Sequence, residues 1–205
     1  HGKQPMDPGE VASADKYSVA ARSASTARPA GTMADMPETL TSLDNPRVKR
    51  AAKLRESRGR RKTGLFIAEG QREVERAIAA GLVVEELFVC PGLGAEVPPS
   101  AGDTGLPRFE VTEPVMRKLA YRQNPEGLVA VVRQRLWALD DIEIKMGTWG
   151  LLLIAVGVEK PGNLGAMART AAAAGASGLI VEDAPIDPYN PNAIRASTAA
   201  GFDLP

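Results

Sequence analysis

The sequence predicts an α/β protein, and three observations carry that prediction. Short apolar runs alternate with helical stretches from residue 45 to 134, the order of strands packed against helices. A second apolar run, "LLLIAVGV" at 151–158, leads through a glycine-broken turn into an alanine-rich helix. "GLIVED" at 178–183 then supplies the next strand and completes a βαβ order.

Composition narrows the chemistry. The 205 residues are 44% hydrophobic, enough for a packed core. The 25 basic and 25 acidic residues cancel, so charge placement rather than net charge must speak for or against nucleic acid. Cys90 is the sole cysteine and closes the run "LFVC", which reads as a small buried hydrophobe. The only histidine is His1. Serine–histidine and cysteine–histidine catalysis are excluded, as are most zinc sites, and no metal is expected. No apolar run approaches the roughly 20 residues of a membrane span, and no signal-peptide pattern is present. A cytoplasmic protein without a membrane partner is expected.

Residues 1–40 are rich in Ala, Ser, Pro and Gly without periodicity, which predicts a disordered N-terminal extension. Met36 would make a natural start, with Met33 a rival, and the segment before them reads as a tag or non-native extension. "NPRVKRAAKLRESRGRRK" at 45–62 opens on an Asn-Pro helix start, with Val48, Ala51, Ala52 and Leu54 as a partial apolar stripe. "GLFIAEG" predicts a strand, "QREVERAIAAG" a helix stopped by Gly81, and "VVEELFVC" a second strand. A loop over 91–107 precedes the short strand "RFEV" and the helix "TEPVMRKLA", capped by Thr112. "GLVAVVRQ" is apolar enough to be buried on both faces.

These elements make an α/β domain over 41–134, followed by a polar connector over 135–149. A second domain over 150–205 opens with "LLLIAVGV", typical of a central parallel strand. It continues to "YNPNAIRASTAAG", a helix capped by Asn190, with Pro191 in its first turn and Gly201 at its end. That is one βαβα unit, whereas an open parallel sheet usually has about four strands or more. The expectation is a domain truncated at its C-terminus or completed by a partner.

The stretch "EKPGNLGAMARTAAAAGASG" at 159–178 sets one arginine, Arg169, among small side chains. It lacks the glycine spacing of a dinucleotide fingerprint and the Gly-Lys-Ser/Thr ending of a P-loop. Helical spacing puts Gly162, Gly165 or Ala166, Arg169 and Ala173 along one face. Either small residues let an anionic chain approach a fixed cation, or they allow close helix packing while Arg169 makes a structural ion pair. In residues 47–62, Arg47, Lys49, Arg50, Lys53, Arg55, Arg58, Arg60, Arg61 and Lys62 crowd together with Glu56 as the sole acid. This is either a solvated helix face or a phosphate-contacting surface. Glu69, in "FIAEG", could instead partner these bases within the fold.

"EKPGNLGAMARTAAAAG" resembles the first signature of the SpoU/TrmH branch of SPOUT RNA ribose 2′-O-methyltransferases, with its Asn, Gly-Ala and Arg-Thr spacing. "YNPNAIRASTAAGFDLP" resembles the second signature, with Asn-Pro, Arg-Ala-Ser and Leu-Pro. The α/β segment around "FIAEG" is similar to the ribosomal-protein-like substrate-binding domain of many members. The resemblance covers about 42–205. It implies a SPOUT trefoil-knot domain, incomplete here because the family's third, Ser-Leu-Asn signature is absent. It implies S-adenosylmethionine as methyl donor, with the donor pocket beyond Pro205, and a homodimer. RNA is the implied substrate, with 23S ribosomal RNA preferred over transfer RNA. By the same resemblance Arg169 acts on the ribose 2′-hydroxyl, Asn163 orients Arg169 or the substrate, and Ser197 lines the reaction centre. Arg195 is assigned to the RNA backbone, a surface salt bridge being the alternative. RNA-binding residues are expected at Arg47, Lys49, Arg50, Arg55, Arg58, Arg60, Arg61, Lys62 and Arg195. The rival reading is a non-catalytic RNA-binding protein.

Overall fold

The computed structural model describes residues 38–102, 105–143 and 150–205. Most of the expected N-terminal extension lies outside these residues. Its last three do not behave as expected: Glu38–Leu40 form strand β1, which pairs in parallel with the later strand at Arg108–Val111.

Helix α1 (Pro46–Ala52) starts where the Asn-Pro pair predicts. The Asn45 side chain accepts from the Arg47 amide at 2.8 Å, and Pro46 needs no amide partner in the first turn. A 3₁₀ turn at Lys53–Arg55 ends it, and helix α2 (Ser57–Thr63) follows. The two pack so closely that a Cβ at Gly59 would strike the Lys53 carbonyl. Gly64, at φ 66°, closes α2 in the left-handed conformation glycine favours.

Strand β2 (Leu65–Glu69), helix α3 (Gln71–Ala79), strand β3 (Val84–Val89), strand β4 (Arg108–Val111), helix α4 (Glu113–Leu119) and strand β5 (Leu128–Arg133) follow in the predicted order. Gly81, at φ 69°, stops the chain just past α3. Thr112 occupies the cap position of α4, but its side chain makes no capping hydrogen bond.

The five strands form one mixed sheet in the order β1-β4-β3-β5-β2, with parallel pairing through β1, β4 and β3 and antiparallel pairing of β5 with β3 and β2. Alternation along each strand fills two apolar layers. Ile67, Phe88, Val129 and Val131 pack with Val48, Ala51 and Leu54 on one side. Phe66, Leu87, Leu128, Ala130 and Val132 pack with Val74 and Ala77 on the other. β5 is therefore buried on both faces, as its unbroken apolar run predicts. Cys90 lies in the first layer as a buried apolar group.

Strand β6 (Leu152–Val156), helix α5 (Pro161–Ala173), strand β7 (Gly178–Glu182) and helix α6 (Pro191–Ala196) complete the chain. β6 and β7 pair in parallel as a separate two-stranded sheet. β6 is not the buried central strand its composition predicts. Leu152, Ile154 and Val156 are exposed and only Ala155 is buried, because no described element covers that face. Asn190 caps α6 through the Asn192 amide as expected, but the helix ends at Ala196, before Gly201. Thr198 and Ala199 both adopt positive φ there and turn the chain into a 3₁₀ segment at Ala200–Phe202.

This last segment packs back on the five-stranded sheet. Ile194, Ala199 and Phe202 join the second apolar layer, and the Phe66 ring meets both Tyr189 at 4.6 Å and Phe202 at 5.5 Å between centroids. Burying each such ring stabilises by about 1.5–3 kcal/mol, so the packing of 189–202 on β2 is a substantial part of the core.

Candidate functional site

Two short helices present the predicted reaction-centre residues. Gly165 of α5 is buried against α6, where a Cβ would lie 2.7 Å from Ala196 Cβ and 2.8 Å from the Ser197 amide nitrogen, and would strike the Ala193 carbonyl. The glycine serves close helix packing, not an open approach for a ligand. Gly162 faces open space.

Arg169, one turn further along α5, is exposed and donates from Nη1 to the Ala196 carbonyl at 2.9 Å. Ala196 ends α6, so this carbonyl lacks an intrahelical donor and the guanidinium caps it. Among the described residues Arg169 makes no ion pair; the structural ion-pair alternative is not what the fold builds. A five-donor fork with one bond committed retains donors that point to solvent.

Asn163 is also exposed, and no hydrogen bond joins it to Arg169 among the described residues. Six residues apart on one helix, the two side chains diverge by about 120°, so orientation of Arg169 by Asn163 is not supported. Ser197 is buried, and its hydroxyl donates to the Ile194 carbonyl at 2.8 Å. It stands on the wall of a cavity of about 330 Å³ with Leu164, Ala168, Leu179, Val181 and Leu204. Arg195 is exposed and reaches only the Asn192 side-chain oxygen, at 3.5 Å; it makes no surface salt bridge among the described residues.

The basic segment divides into three groups. Arg47 and Arg50 converge on one oxygen of the buried Glu86 carboxylate, at 2.6 and 2.5 Å, and Arg47 also lies 4.7 Å over the Phe109 ring. Both remain about half exposed, at 47% and 51%, so their heads are shared between the fold and solvent. Lys49 pairs with Asp44 at 2.8 Å, and this lysine holds the Asp44 carboxyl below its ordinary range. Lys53, Arg55, Arg58, Arg61 and Lys62 are exposed and make no salt bridge among the described residues, although Arg55 donates to the Lys118 carbonyl at 3.2 Å.

Arg60 is the clear exception. Its side chain is 1% exposed. Nε and Nη2 grip the Asp187 carboxylate at 3.1 and 2.7 Å, and Nη1 donates to the Leu54 and Arg55 carbonyls at 2.9 Å each. A guanidinium so enclosed has no face left for phosphate, and the assignment of Arg60 to RNA is corrected to an internal role. Glu69 is likewise no partner of the basic segment. It accepts from the Tyr121 amide at 2.8 Å and the Arg122 amide at 3.2 Å. The acids that do hold basic-segment arginines, Glu86 and Asp187, lie far from it in sequence and carry no local signal.

The apolar cavity beside Ser197 does not fit an adenosyl amino acid. Its polar neighbours are already committed: Asp187 to Arg60, Ser197 to Ile194, and Tyr189 to the Arg135 backbone. No group of three or more metal-ligating side chains occurs among the described residues.

Two family models match the chain: the MRM3-like substrate binding domain over residues 45–130 and the SpoU rRNA Methylase family over 150–205. The chain is 30% identical over 166 residues to the 23S rRNA (guanosine(2553)-2'-O)-methyltransferase RlmP of Bacillus subtilis, covering 81% of this chain and 63% of that protein. A 23S rRNA (uridine(2479)-2'-O)-methyltransferase of Streptomyces viridochromogenes is 39% identical over 83 residues, 40% of this chain and 28% of that one. The AdoMet-bound rRNA methyltransferase of Sinorhizobium meliloti superposes with a TM-score of 0.70 at 34% identity, covering 82% of this chain and 63% of that structure. The fold is that of the α/β RNA methyltransferases. The chain carries an MRM3-like substrate-binding domain and a SpoU rRNA methylase domain, and it spans about three-fifths of the length of the first of these relatives.

Proposed function

We propose that the chain supplies the RNA-binding layer and the arginine-bearing part of an RNA ribose 2′-O-methyltransferase acting on 23S ribosomal RNA, with S-adenosylmethionine as donor. Residues 41–134 form the substrate-binding domain, 135–149 the connector and 150–205 the N-terminal part of the methyltransferase domain. The intact enzyme is a cytoplasmic homodimer. The relatives named as 23S rRNA 2'-O-methyltransferases support the reading, and they favour it over a non-catalytic RNA-binding protein.

The observation that carries the reading is the exposed Arg169 fork, anchored on α6 and without an ion pair among the described residues. The donor supplies an electrophilic methyl; the described residues act on the other reactant, the ribose. A guanidinium stays protonated at ordinary pH, so Arg169 serves as a fixed cation and not as a base. It clamps the neighbouring phosphate and stabilises charge developing on the 2′-oxygen, an effect of preorganised donors. Asn163 and Arg195 contact the same RNA strand, and Ser197 fixes the end of α6 from beneath. Lys49, Arg55, Arg58, Arg61 and Lys62, with the half-exposed Arg47 and Arg50, neutralise phosphates and position the RNA without reading its sequence.

The test is transfer of labelled methyl from S-adenosylmethionine to 23S ribosomal RNA by the intact enzyme, with the product mapped by resistance of the modified ribose to alkaline cleavage. Methyl found on a base, or no transfer to any ribosomal RNA fragment, would refute the reading.

A further inference from the structure

A buried ion pair outside the reaction centre helps tie the two family segments together. Asp187 lies in the loop between β7 and α6, and Arg60 lies in the middle of α2, 127 residues earlier. The bond is bidentate, and the arginine is wholly enclosed while the aspartate side chain is 23% exposed. The same guanidinium caps the Leu54 and Arg55 carbonyls, so it also fixes the turn between α1 and α2. α2 is only seven residues long and carries three exposed cations, Arg58, Arg61 and Lys62. A helix that short does not hold its place by propensity. Arg60 is also its only buried residue. Beside the ion pair, Arg61 reaches the surface formed by Asp183, Pro185 and Ile186, just past the end of β7.

We infer that Arg60 and Asp187 are positioning residues: their ion pair sets where the cations of α2 sit relative to α5 and α6, so that an RNA held by α2 is presented to Arg169 and Arg195. The inference rests on the proposed RNA reading for its ligand, but the mechanical part stands on the ion pair alone. Other contacts join the segments, including Phe66 with Tyr189 and Arg76 with the Thr198 carbonyl at 2.9 Å. Neither of these two touches α2, and Arg61, which lines a surface with Asp183, makes no ion pair there among the described residues. Losing the ion pair therefore leaves the segments docked and releases the basic helix.

Two measurements on the full chain separate the inference from the reading it rests on. Spin labels at Thr63 on α2 and Met167 on α5 report the distance between them without RNA; both sites are exposed, and the buried Cys90 stays unlabelled. Asp187→Asn, nearly isosteric, is expected to widen that distance distribution about twofold through local release of α2, and Asp187→Glu to restore it in part. The second measurement photo-crosslinks a thiouridine-substituted 23S ribosomal RNA hairpin to the same variants. In Asp187→Asn the affinity and its salt slope hold, because the α2 cations remain, while crosslinks to α5 and α6 fall about tenfold relative to those on α1 and α2. A general loss of stability would lower both sets of crosslinks together.

An unchanged distance distribution in Asp187→Asn overturns the inference whatever the RNA does. An unchanged share of crosslinks on α5 and α6 overturns it as well. Failure of the unaltered chain to bind the hairpin overturns the RNA reading, and the presentation of RNA falls with it.

Discussion

Arg169 donates Nη1 to the Ala196 carbonyl at 2.9 Å, so the cation of α5 closes the last turn of α6. One bond thus fixes the side chain's position and satisfies a helix terminus. In the intact enzyme Arg169→Ala is expected to lower methyl transfer by about 10²–10³, the range for loss of one preorganised donor, while RNA affinity changes little. Arg169→Lys recovers little of the loss, because an ammonium cannot hold the carbonyl and a phosphate in one planar fork. Single-turnover rates alongside filter binding check both.

The exposed and enclosed cations of α2 should separate in solution. Arg58→Ala together with Arg61→Ala is expected to reduce the slope of log affinity against log salt by about 2 for duplex RNA treated as B-form DNA is, with stability unchanged. Arg60→Ala instead orphans the Asp187 carboxylate and two carbonyls, and costs about 3–5 kcal/mol. For a domain of this size that lowers Tm by roughly 10 °C. Titrations at several salt concentrations and thermal melts on the same samples decide the matter.

Glu86 restrains two arginines, and its second oxygen has no hydrogen-bond partner among the described residues. Glu86→Gln removes a buried charge and frees Arg47 and Arg50 toward solvent. RNA affinity should rise and the salt slope should steepen by about 1. An affinity equal to the parent's would mean these arginines never reach the RNA.

Gly165→Ala adds a methyl where the α6 backbone and Ala196 already sit. The helices must part, at a cost of about 1–3 kcal/mol, and the Arg169–Ala196 bond lengthens with them. Stability by denaturant titration should fall, and methyl transfer should fall more than RNA affinity.

Tyr189 predicts an alkaline signature. Burial raises its hydroxyl above the ordinary 10.0, against the lowering influence of its Arg135 backbone bond and of the Arg135 charge. The folded state therefore keeps the proton after the unfolded chain has released it. Its contribution is complete below the unfolded value and is lost as pH rises from there through the folded value. Tyr189→Phe keeps the ring against Phe66, loses the two hydroxyl bonds to the Arg135 backbone, and costs about 1 kcal/mol near neutrality. The variant's stability should also lack the alkaline decline attributable to this group, which parallel melts at increasing pH would reveal.

Local signals were legible and distant partners were not. Asn45-Pro46 and Asn190-Pro191 announce their helices because a cap needs only its own next turn. Gly81 announces the stop of α3 for the same reason. The unbroken apolar run of β5 declares its double burial. Charge spacing, however, cannot say which of nine cations is inside. Arg60 differs from Arg58 and Arg61 only by facing a carboxylate that arrives from 127 residues away. β6 misleads for a related reason: its composition reports what the strand can bury, not what covers it in the described residues. At the candidate site, Arg169 stood out as a lone guanidinium among alanines, whereas the role of Gly165 needed the position of α6 to be known.

The Phe66 ring, wedged between Tyr189 and Phe202, also governs how the molecule can be taken apart. Genes cut within the connector would yield two polypeptides, one displaying a naked phenylalanine on β2 and the other a greasy patch of Ile194, Ala199 and Phe202. Neither fragment would be a well-behaved miniature of its parent, because the seam that joins the pieces is made of the same oil that fills them.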